Sequence, residues 1–334
     1  MLIYNNKIKY NYLEFGIEIP ISNSKAVKII EYLKNQQELK DHLHRLIFNK
    51  ITNKITKKDL LRVHSKEYVK KLYSKELEKE LIRSYELIDE NGNYRRYNPS
   101  IATKPLKKLF RNILIKVSGS YQCMLTALDK KFSFFLGGGM HHAKKNYGEG
   151  FCIVNDIVIA LRKLQANNKI KKAWIIDVDA HKGDGTAELT EHDETIITLS
   201  IHMAKGWPLD NPKYDKAGII NPSFIPSNID IPIAKGEDNK YLDKLKQGLL
   251  KLEKYPKPEI AVVVLGSDPY EKDQLESSKD LKLTLKQMKD RDLMIYNFLK
   301  AKNIPQAYLM AGGYGEYSWE VYVQFLKKVL KDYI

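Results

Sequence analysis

The 334-residue chain has 56 lysines and arginines against 41 aspartates and glutamates, a net charge of +15, and 43% of its residues are hydrophobic. That apolar fraction is enough for a substantial core, and the length suits one large α/β domain or two ordinary ones. No apolar run is long enough to span a bilayer, which excludes a membrane-spanning protein. Its two cysteines, Cys123 and Cys152, are too few for a disulfide framework, and the first residues lack a secretory-signal pattern. We therefore expect a soluble protein of the reducing cytoplasm.

The positive charge has two interpretations. A basic protein can bind an acidic partner such as nucleic acid or an anionic membrane surface. Here most of the basic residues lie between apolar positions of helical patterns, and they do not form a patch interleaved with aromatic residues. The pattern therefore favours solvated helix faces over a nucleic-acid or membrane partner. The sequence does not indicate an oligomeric state.

The first third of the chain has helical patterns. Residues 1–21 are mixed and include a candidate opening strand. A helix capped by Ser22 or Ser24 is predicted to extend to about Gln37. Further helices are predicted over 57–73, over 74–90 up to the turn Asn91-Gly92 and, after a surface loop at 91–104, over 105–128.

From residue 132 the pattern changes to alternating strands and helices. The predicted strands are short and apolar, at Phe132–Leu136, Ala173–Val178, Thr195–Ile201, Ile260–Leu265 and Gln306–Met310. The predicted helices are Asn155–Gln165, 240–254, 284–301 and Tyr317–Leu330. This alternation predicts a parallel sheet covered by helices on both faces. Because we find no repeat and no convincing linker, we expect one domain over residues 1–334.

The stretch from Ala173 to Gly185 is the most informative part of the sequence. It begins as an apolar strand and then becomes polar, with Asp177, Asp179 and His181 at alternating positions. On an extended backbone, alternating side chains point to the same side. Carboxylate oxygens and imidazole nitrogens are ligands for a divalent ion, of which zinc is the usual one. The alternative is a strand end with solvated acids, which the meeting of three ligand types disfavours.

Three other predicted strands are also followed by polar or glycine-rich turns. His141 and His142 follow a run of three glycines, Asp268 follows Gly266, and Tyr314 lies between glycines. Sites in open parallel sheets form at the carboxyl ends of the strands. We therefore expect these side chains to meet the metal-ligand stretch at one edge of the sheet.

A reaction type follows from this set of residues. Asp179, His181 and Asp268 supply three ligands and leave a coordination position open, which is typical of a catalytic metal. Such a metal lowers the pKa of a bound water and polarises a carbonyl group. His141 and His142 can supply the base and the acid that amide hydrolysis requires.

The supporting residues can be assigned in the same way. Asp177 and Asp184 are available to orient the second nitrogens of the two imidazoles, and Tyr314 can donate a hydrogen bond to an oxyanion. Taken alone, Asp268 could cap a turn and Tyr314 could be a packed core residue.

Three further histidines and the cysteine near the site receive structural interpretations. His64, His192 and His202 are interpreted as structural. Cys152 is expected to be buried and not to act as a nucleophile.

Taken together, these motifs resemble the zinc-dependent histone deacetylases and the bacterial deacetylase-like amidohydrolases of the arginase–deacetylase fold. The resemblance covers most of the chain and is strongest from about residue 132 to 315. In order, the motifs are Val63-His64-Ser65-x-x-Tyr68-Val69, Gly138-Gly139-Met140-His141-His142-Ala143, Glu149-Gly150-Phe151-Cys152-x-x-Asn155-Asp156, Asp177-x-Asp179-x-His181-x-Gly183-Asp184-Gly185-Thr186, Gly266-x-Asp268 and Gly312-Gly313-Tyr314.

The resemblance implies a three-layer α/β/α fold with a mostly parallel, eight-stranded sheet. It implies zinc, or ferrous iron, at the three ligands named above. His142 would be the general base and then the general acid. His141 would be its electrostatic partner, with Asp177 and Asp184 behind the pair. Tyr314 would polarise the acyl carbonyl and stabilise the tetrahedral intermediate.

The resemblance also implies a substrate channel and a second ion. Gly150 and Phe151 would lie along the channel for the acyl-lysine stem, with Trp207 as the facing wall. Leu275 stands where polyamine-specific relatives carry a glutamate, and it therefore favours acyl-lysine over acylpolyamine. The family's potassium ion, held mostly by backbone oxygens, has matching positions at Asp177, Asp179, His181, Ser200 and Ile201.

The metal-ligand turn departs from the usual pattern in ways that leave the subclass open. Ala180 and Lys182 replace the more usual bulky residue and second histidine. The Ala180-His181 pair resembles class IV more than class I, whereas Asp184 is the class I residue. The expected reaction is removal of acetyl or longer acyl groups from the ε-amine of lysine in a protein or small molecule.

Three alternatives to this reaction stay open. One is hydrolysis of acetylpolyamines or other small amides. A ureohydrolase would need two manganese ions and more aspartates in the turn. A non-catalytic acyl-lysine-binding module is disfavoured by the intact His141, His142 and Tyr314.

Overall fold

The computed structural model describes residues 1–5, 11–21, 24–209, 213, 218–219, 221 and 224–334. Its centre is an eight-stranded sheet with the strand order β2-β1-β3-β8-β7-β4-β5-β6, in which every pair of neighbours is parallel. The strands are β1 (Leu2–Ile3), β2 (Ile47–Phe48), β3 (Phe132–Phe135), β4 (Ala173–Asp177), β5 (Ile196–Met203), β6 (Ile229–Ile233), β7 (Ile260–Leu265) and β8 (Gln306–Met310).

Helices connect and cover these strands. They are α1 (Lys25–Lys34), α2 (Leu43–Leu46), α3 (Lys57–Leu60), α4 (Lys66–Leu72), α5 (Leu77–Ser84), α6 (Leu109–Lys130), α7 (Asp156–Ala166), α8 (Asp184–Leu189), α9 (Tyr241–Leu252), α10 (Leu285–Ala301) and α11 (Ser318–Val329). Short 3-10 turns lie at Tyr12–Phe15, Pro99–Ile101, Leu106–Lys108, Asp238–Lys240, Glu276–Ser278 and Leu330–Tyr333. No helix in the described part of the chain has the length and apolar character needed to cross a membrane.

The sheet separates two hydrophobic cores. All six residues of β7 are buried, and successive side chains belong to opposite cores, Val262 to one and Val263 to the other. Because a strand buried on both faces exposes neither face to water, its sequence is a continuous apolar run. Helices α6 and α7 contribute to the first core, and α9, α10 and α11 contribute to the second. The predicted three-layer α/β/α fold is therefore confirmed, with a sheet that is wholly parallel.

Some predicted helices differ from the observed ones. The helix predicted over 57–73 is broken into α3 and α4 around His64, and Ser65 caps α4 by accepting a hydrogen bond from the backbone N–H of Tyr68. The helix predicted over 74–90 is only α5. The helix predicted from residue 105 begins at Leu109, after a 3-10 turn. The proposed cap at Ser22 lies outside the described residues, and α1 begins at Lys25.

The sheet order explains why one edge carries the unusual turns. The four strands that precede these turns are β3, β8, β7 and β4, and they are consecutive neighbours in the sheet. Because all of them are parallel, their carboxyl ends meet at the same edge. The prediction that separate strands deliver their polar residues to one place is confirmed at the level of topology.

Close packing between α6 and β3 gives a stability prediction. A methyl group on Gly119 of α6 would overlap the buried ring of Phe135, whereas a methyl group on Gly248 of α9 would meet the terminal methyl of Ile231. Gly→Ala in a helix interior normally gains about 1 kcal/mol, but overpacking costs about 1–3 kcal/mol. We expect Gly119→Ala to lower the free energy of unfolding in urea and Gly248→Ala, where the side chain can move, to stay within about 1 kcal/mol of the parent. Equal effects of the two changes would contradict this packing argument.

Candidate active site

Three side chains beyond β4 and β7 form a compact ligand set. One ligand atom from each of Asp179, His181 and Asp268 lies within 4.8 Å of the others, and all three residues are buried. Nδ1 of His181 is 3.2 Å from a carboxylate oxygen of Asp179 and 3.0 Å from one of Asp268. Burial, and then the charge of Asp179, raise the pKa of Asp268 to about 7. Two carboxylates and an imidazole in a buried position suit a divalent cation such as zinc, and the donor set therefore fits the predicted metal.

The backbone around these ligands is shaped to hold them. The N–H of Gly312 donates to Asp179 at 2.9 Å, and the N–H of Ala180 donates to Asp268 at 3.0 Å. A Cβ atom on Gly312 would lie 2.5 Å from the Asp179 carboxylate, and one on Gly266 would also overlap it. Glycine is therefore required where the turns after β7 and β8 approach the carboxylates.

The imidazole of His181 is oriented by a contact at Nε2. Nε2 of His181 lies 3.1 Å from the hydroxyl oxygen of Ser277, so Nδ1 is the nitrogen that faces the two carboxylates. A hydrogen bond on the far nitrogen is the usual means of fixing a ligating imidazole. Ser277 was not predicted from the sequence, because it lies in the short 3-10 turn Glu276–Ser278, which has no motif of its own.

Two further imidazoles lie beside the ligand set. The rings of His141 and His142 have centroids 4.0 Å apart. Nδ1 of His141 is 2.7 Å from Asp177, and Nδ1 of His142 is 2.9 Å from Asp184. The sequence predicted both aspartates as the orienting partners, and the structure brings each one to a different imidazole. With Nδ1–H donated to a carboxylate, Nε2 of each ring is left for chemistry.

The two imidazoles have opposite electrostatic surroundings. Burial works against the charged form of both rings. At His141 the carboxylates of Asp177 and Asp179 outweigh burial and raise its pKa to about 9. At His142, burial and the charge of His141 outweigh the opposing effect of Asp184. Together they lower the pKa of His142 to about 4. Near neutral pH this arrangement gives one imidazolium and one neutral imidazole, which is a pattern typical of an acid–base pair.

The turn that carries these histidines is held by an aspartate on α7. Asp156 accepts hydrogen bonds from the N–H groups of Met140 at 2.6 Å and Gly139 at 3.1 Å. Gly138 and Gly139 have φ angles of 84° and 75°, a region that favours glycine. The Asn155-Asp156 motif was quoted from the sequence without a role, and the structure supplies one.

His64 has the structural place that was expected for it. The backbone N–H of Asn155 donates to its Nε2 at 3.1 Å, and its Nδ1 lies 2.8 Å from the carbonyl oxygen of Lys144. Burial lowers the pKa of His64 to about 4, so the ring is neutral and can accept and donate at the same time. His64 therefore ties the start of α7 to the segment just after His142.

Tyr314 is fixed through its backbone. The peptide unit that joins it to Gly313 lies between a buried ammonium group and a half-buried carboxylate: the Gly313 carbonyl accepts from Nζ of Lys25 at 2.9 Å, and the Tyr314 N–H donates to Asp273 at 2.7 Å. Burial raises the pKa of the Tyr314 phenol well above its usual value, so the hydroxyl stays a hydrogen-bond donor. Lys25 and Asp273 were not predicted, since their importance comes from contacts far apart in sequence.

The predicted substrate-binding residues line one cavity of about 480 Å³ together with Asp179, His181 and both histidines. The indole of Trp207 has its centroid 4.5 Å from that of His142, and the ring of Phe151 lies 6.1 Å from that of Tyr314. A Cβ on Gly150 would overlap Trp207, so the wall can close only because this residue is glycine. Leu275 also lines the cavity.

The mouth of the cavity carries charges that the sequence did not reveal. Arg96 pairs with Glu86 at 2.6 Å and lies over the ring of Phe151 at 5.5 Å. Both residues and Arg95 line the cavity. They come from the segment 74–104, for which no role was predicted.

The positions predicted for a potassium ion are buried near the base of the site. Asp177 and Ser200 are directly paired across β4 and β5, and Ile201 follows. The hydroxyl of Ser200 is 3.0 Å from Nδ1 of His202. Potassium at Asp177, Asp179, His181, Ser200 and Ile201 stays a prediction.

Comparisons with known proteins give one family. A family model described as the histone deacetylase domain matches residues 19–330. An uncharacterized protein of Picosynechococcus is 30% identical over 204 residues, 61% of this chain and 63% of that protein. Histone deacetylase 6 of Arabidopsis thaliana is 29% identical over 278 residues, 82% of this chain and 55% of that protein. The chain thus spans a little over half of the length of these two relatives.

A solved structure agrees in fold. The crystal structure of a homologue from Aquifex aeolicus superposes with a TM-score of 0.68 over 98% of this chain and 82% of that one, at 21% sequence identity. That structure is described as a histone deacetylase homologue. At this level of identity the similarity establishes a common fold.

The ligand set predicts metal binding that can be measured directly. We expect the protein stripped of metal to bind one zinc ion in calorimetry, and Asp268→Asn to weaken binding by more than about a hundredfold, since loss of an outer-shell partner alone costs roughly 10–100-fold. Asp193→Asn is the matched control, because Asp193 pairs with Arg162 away from the site. Undiminished zinc affinity in Asp268→Asn would refute the assignment.

Proposed function

Because the chain belongs to the histone deacetylase family, we propose that it hydrolyses the amide bond between acetyl or longer acyl groups and the ε-amine of lysine. The observation that carries this proposal is the His141–His142 pair. The two imidazoles lie beside a buried Asp–His–Asp ligand set, each has its own aspartate, and their pKa values are displaced in opposite directions. Amide hydrolysis needs a base for the attacking water and an acid for the leaving amine, and this pair can supply both a neutral base and a cation.

The proposed roles follow from the atoms that are available. Zinc or ferrous iron, held by Asp179, His181 and Asp268, would supply an activated water and polarise the acyl carbonyl. His142, oriented by Asp184, takes a proton from the attacking water at Nε2 and returns it to the leaving nitrogen. His141 remains protonated beside Asp177 and stabilises the negative charge that develops on the substrate.

The substrate is proposed to enter between aromatic walls. Phe151 and Trp207 border the cavity and would pack on the aliphatic stem of acyl-lysine, while Gly150 keeps the passage open. The hydroxyl of Tyr314 would donate to the oxyanion, from a backbone that Asp273 and Lys25 hold in place. An apolar Leu275 at the cavity favours acyl-lysine over a polyamine, which would call for an acidic residue.

We place the activity in a single catalytic domain over residues 1–334, with an acyl-lysine protein, peptide or small acylated amine as its substrate. Both cysteines are buried free thiols, and burial raises their pKa values, which makes them unreactive and is compatible with a reducing cytoplasm. Cys152 is accordingly not assigned a catalytic role.

Activity and acyl preference can be tested together. We expect fluorophore release from a panel of acyl-lysine peptides, acetyl through longer chains, to require metal and to fall by about a hundredfold or more in Tyr314→Phe, on the scale of one lost oxyanion donor. Tyr317→Phe is the control, since Tyr317 is exposed outside the cavity lining. If the panel is not hydrolysed although zinc is bound, the acyl-lysine substrate is wrong and acetylpolyamines become the next panel.

The base assignment has a separate test. We expect His142→Ala to keep one zinc ion per chain, because His142 is outside the ligand set, and to lose about 10²–10⁴-fold in kcat, the usual contribution of a general base. Zinc content by atomic absorption and kcat on the best peptide are the two measurements. Near-normal kcat in this variant would remove His142 from the base role.

A further inference from the structure

We infer that Lys144 is a positioning residue: its ammonium group joins the His142–Asp184 pair to the loop that forms one wall of the substrate channel. This inference deepens the proposed function and rests on it for its kinetic consequences. Lys144 lies two residues after His142 in sequence, yet its side chain reaches the far side of Asp184.

The contacts form a continuous chain of ionic groups. One oxygen of Asp184 is 2.9 Å from Nδ1 of His142, and the other is 3.0 Å from Nζ of Lys144. Nζ of Lys144 is also 2.9 Å from a carboxylate oxygen of Glu149. Asp184 is therefore shared between the imidazole and the ammonium group. A carboxylate held at both oxygens has one orientation, and that orientation is the one that keeps Nε2 of His142 available.

Lys144 is itself held firmly at its backbone. Its carbonyl oxygen lies 2.8 Å from Nδ1 of the buried His64, and its N–H donates to the carbonyl of Tyr147 at 2.9 Å. The side chain of Lys144 is 16% exposed and that of Glu149 is 26% exposed, so the ion pairs are partly shielded from water. These contacts explain what the early His64 motif contributes: it fixes the backbone from which Lys144 reaches Asp184.

Glu149 carries the connection to the channel. Its N–H and carbonyl are paired with those of Cys152, and the loop between them contains Gly150 and Phe151. A Cβ on Gly150 would lie 2.7 Å from the ring of His142, so the loop packs directly on the base. An ammonium group shared by Asp184 and Glu149 thus ties the orientation of the base to the position of the channel wall.

The charge of Lys144 has a defined effect on the base. Although burial opposes it, the carboxylates of Asp184 and Glu149 raise the pKa of Lys144, which is a cation at every pH of interest. A cation behind Asp184 disfavours a second positive charge on His142, so removal of the cation raises the pKa of His142. The other titratable groups around His142 and Asp184 are His141, His181, Cys152 and Lys182, and the substitutions below leave all four unchanged.

The two ion pairs of Lys144, one with Asp184 and one with Glu149, should have different effects on the pH–rate profile. Burial and the charge of Asp184 raise the pKa of Glu149 to about 7, so Glu149 is already protonated on the acidic side of the pH–rate profile. Lys144→Met removes both ion pairs, whereas Glu149→Gln removes only the ion pair with the channel loop. The first change should therefore move the acid limb of the profile, and the second should not.

The experiment measures kcat and KM from about pH 3 to 9, so that the range extends below the acid limb, on the best acyl-lysine peptide with the zinc-loaded enzyme. For Lys144→Met we expect the acid limb of kcat/KM to move up by about one pH unit, a tenfold loss at pH values below the limb, together with a several-fold rise in KM. For Glu149→Gln we expect the rise in KM with an acid limb within about 0.3 units of the parent. Lys144→Arg keeps the charge and should restore the position of the limb.

The neighbouring lysine provides a matched control. Lys145 is exposed, and its loss as Lys145→Met removes the same charge one residue along the chain. An acid limb that stays in place in Lys144→Met, or that moves equally in Lys145→Met, overturns the inference. If Lys144→Met does not fold, Glu149→Gln and Lys144→Arg still test it, since a parental KM in Glu149→Gln or a displaced limb in Lys144→Arg also contradicts it.

A spectroscopic measurement separates this inference from the proposed function. The Nδ1–H proton of His142, hydrogen-bonded to Asp184, gives a far-downfield NMR signal that can be assigned with His142→Ala. We expect the signal to shift in Lys144→Met and to stay in place in Lys145→Met, whether or not any acyl-lysine peptide is hydrolysed. A peptide panel without turnover but with this shift would refute the proposed function alone, whereas an unmoved signal would refute the role of Lys144.

Discussion

The close approach of two buried carboxylates, Asp179 and Asp268, is the constraint on which the rest of the structure depends. Buried charges are costly unless they are paired and hydrogen-bonded. Here His181 lies against both carboxylates, and backbone N–H groups of Ala180 and Gly312 donate to them. A divalent cation would complete the compensation. Gly266 and Gly312, in the turns after β7 and β8, follow from this demand, because a Cβ atom at either position would overlap the Asp179 carboxylate.

The parallel sheet meets this demand through its strand order. Donors and ligands come from the turns after β4, β7 and β8, which are neighbours, while β3 brings the two histidines from the other side of β8. Each imidazole then receives its own carboxylate, so that neighbouring rings have displaced pKa values of opposite sign. Asp156, His64 and Lys144 hold the turn that carries the imidazole rings of His141 and His142. The chemistry of the site therefore depends on contacts between segments that are distant in sequence.

The sequence predicted the parts of the molecule whose chemistry is local. The strands β3, β4, β7 and β8 are apolar on both faces and end in unusual turns, and their histidines and aspartates were predicted with their partners. The opening strand expected within residues 1–21 is β1, whereas β2, with two residues, is too short for a periodic signal and was not predicted. The edge strand β6 contains Pro232, which an edge tolerates but which argues against a strand in a sequence. Ser277, Asp273 and Lys144 were not predicted, because each acts through a partner on another segment.

The departure at Lys182 shows how a change in the metal-ligand turn is accommodated. Its side chain is fully buried, and Nζ lies 2.7 Å from Asp230 on β6 and also bonds to the hydroxyl of Ser227. The other oxygen of Asp230 is 3.2 Å from Nζ of Lys213. A buried ammonium group requires such a partner, since an unpaired one would be strongly destabilising. Lys182 therefore ties the turn after β4 to the edge of the sheet, and its ammonium group is paired away from the ligand set. Lys182, the clearest departure from the family motif, therefore affects how the turn after β4 is anchored. The positions of Asp179, His181 and Asp268 next to one another are retained.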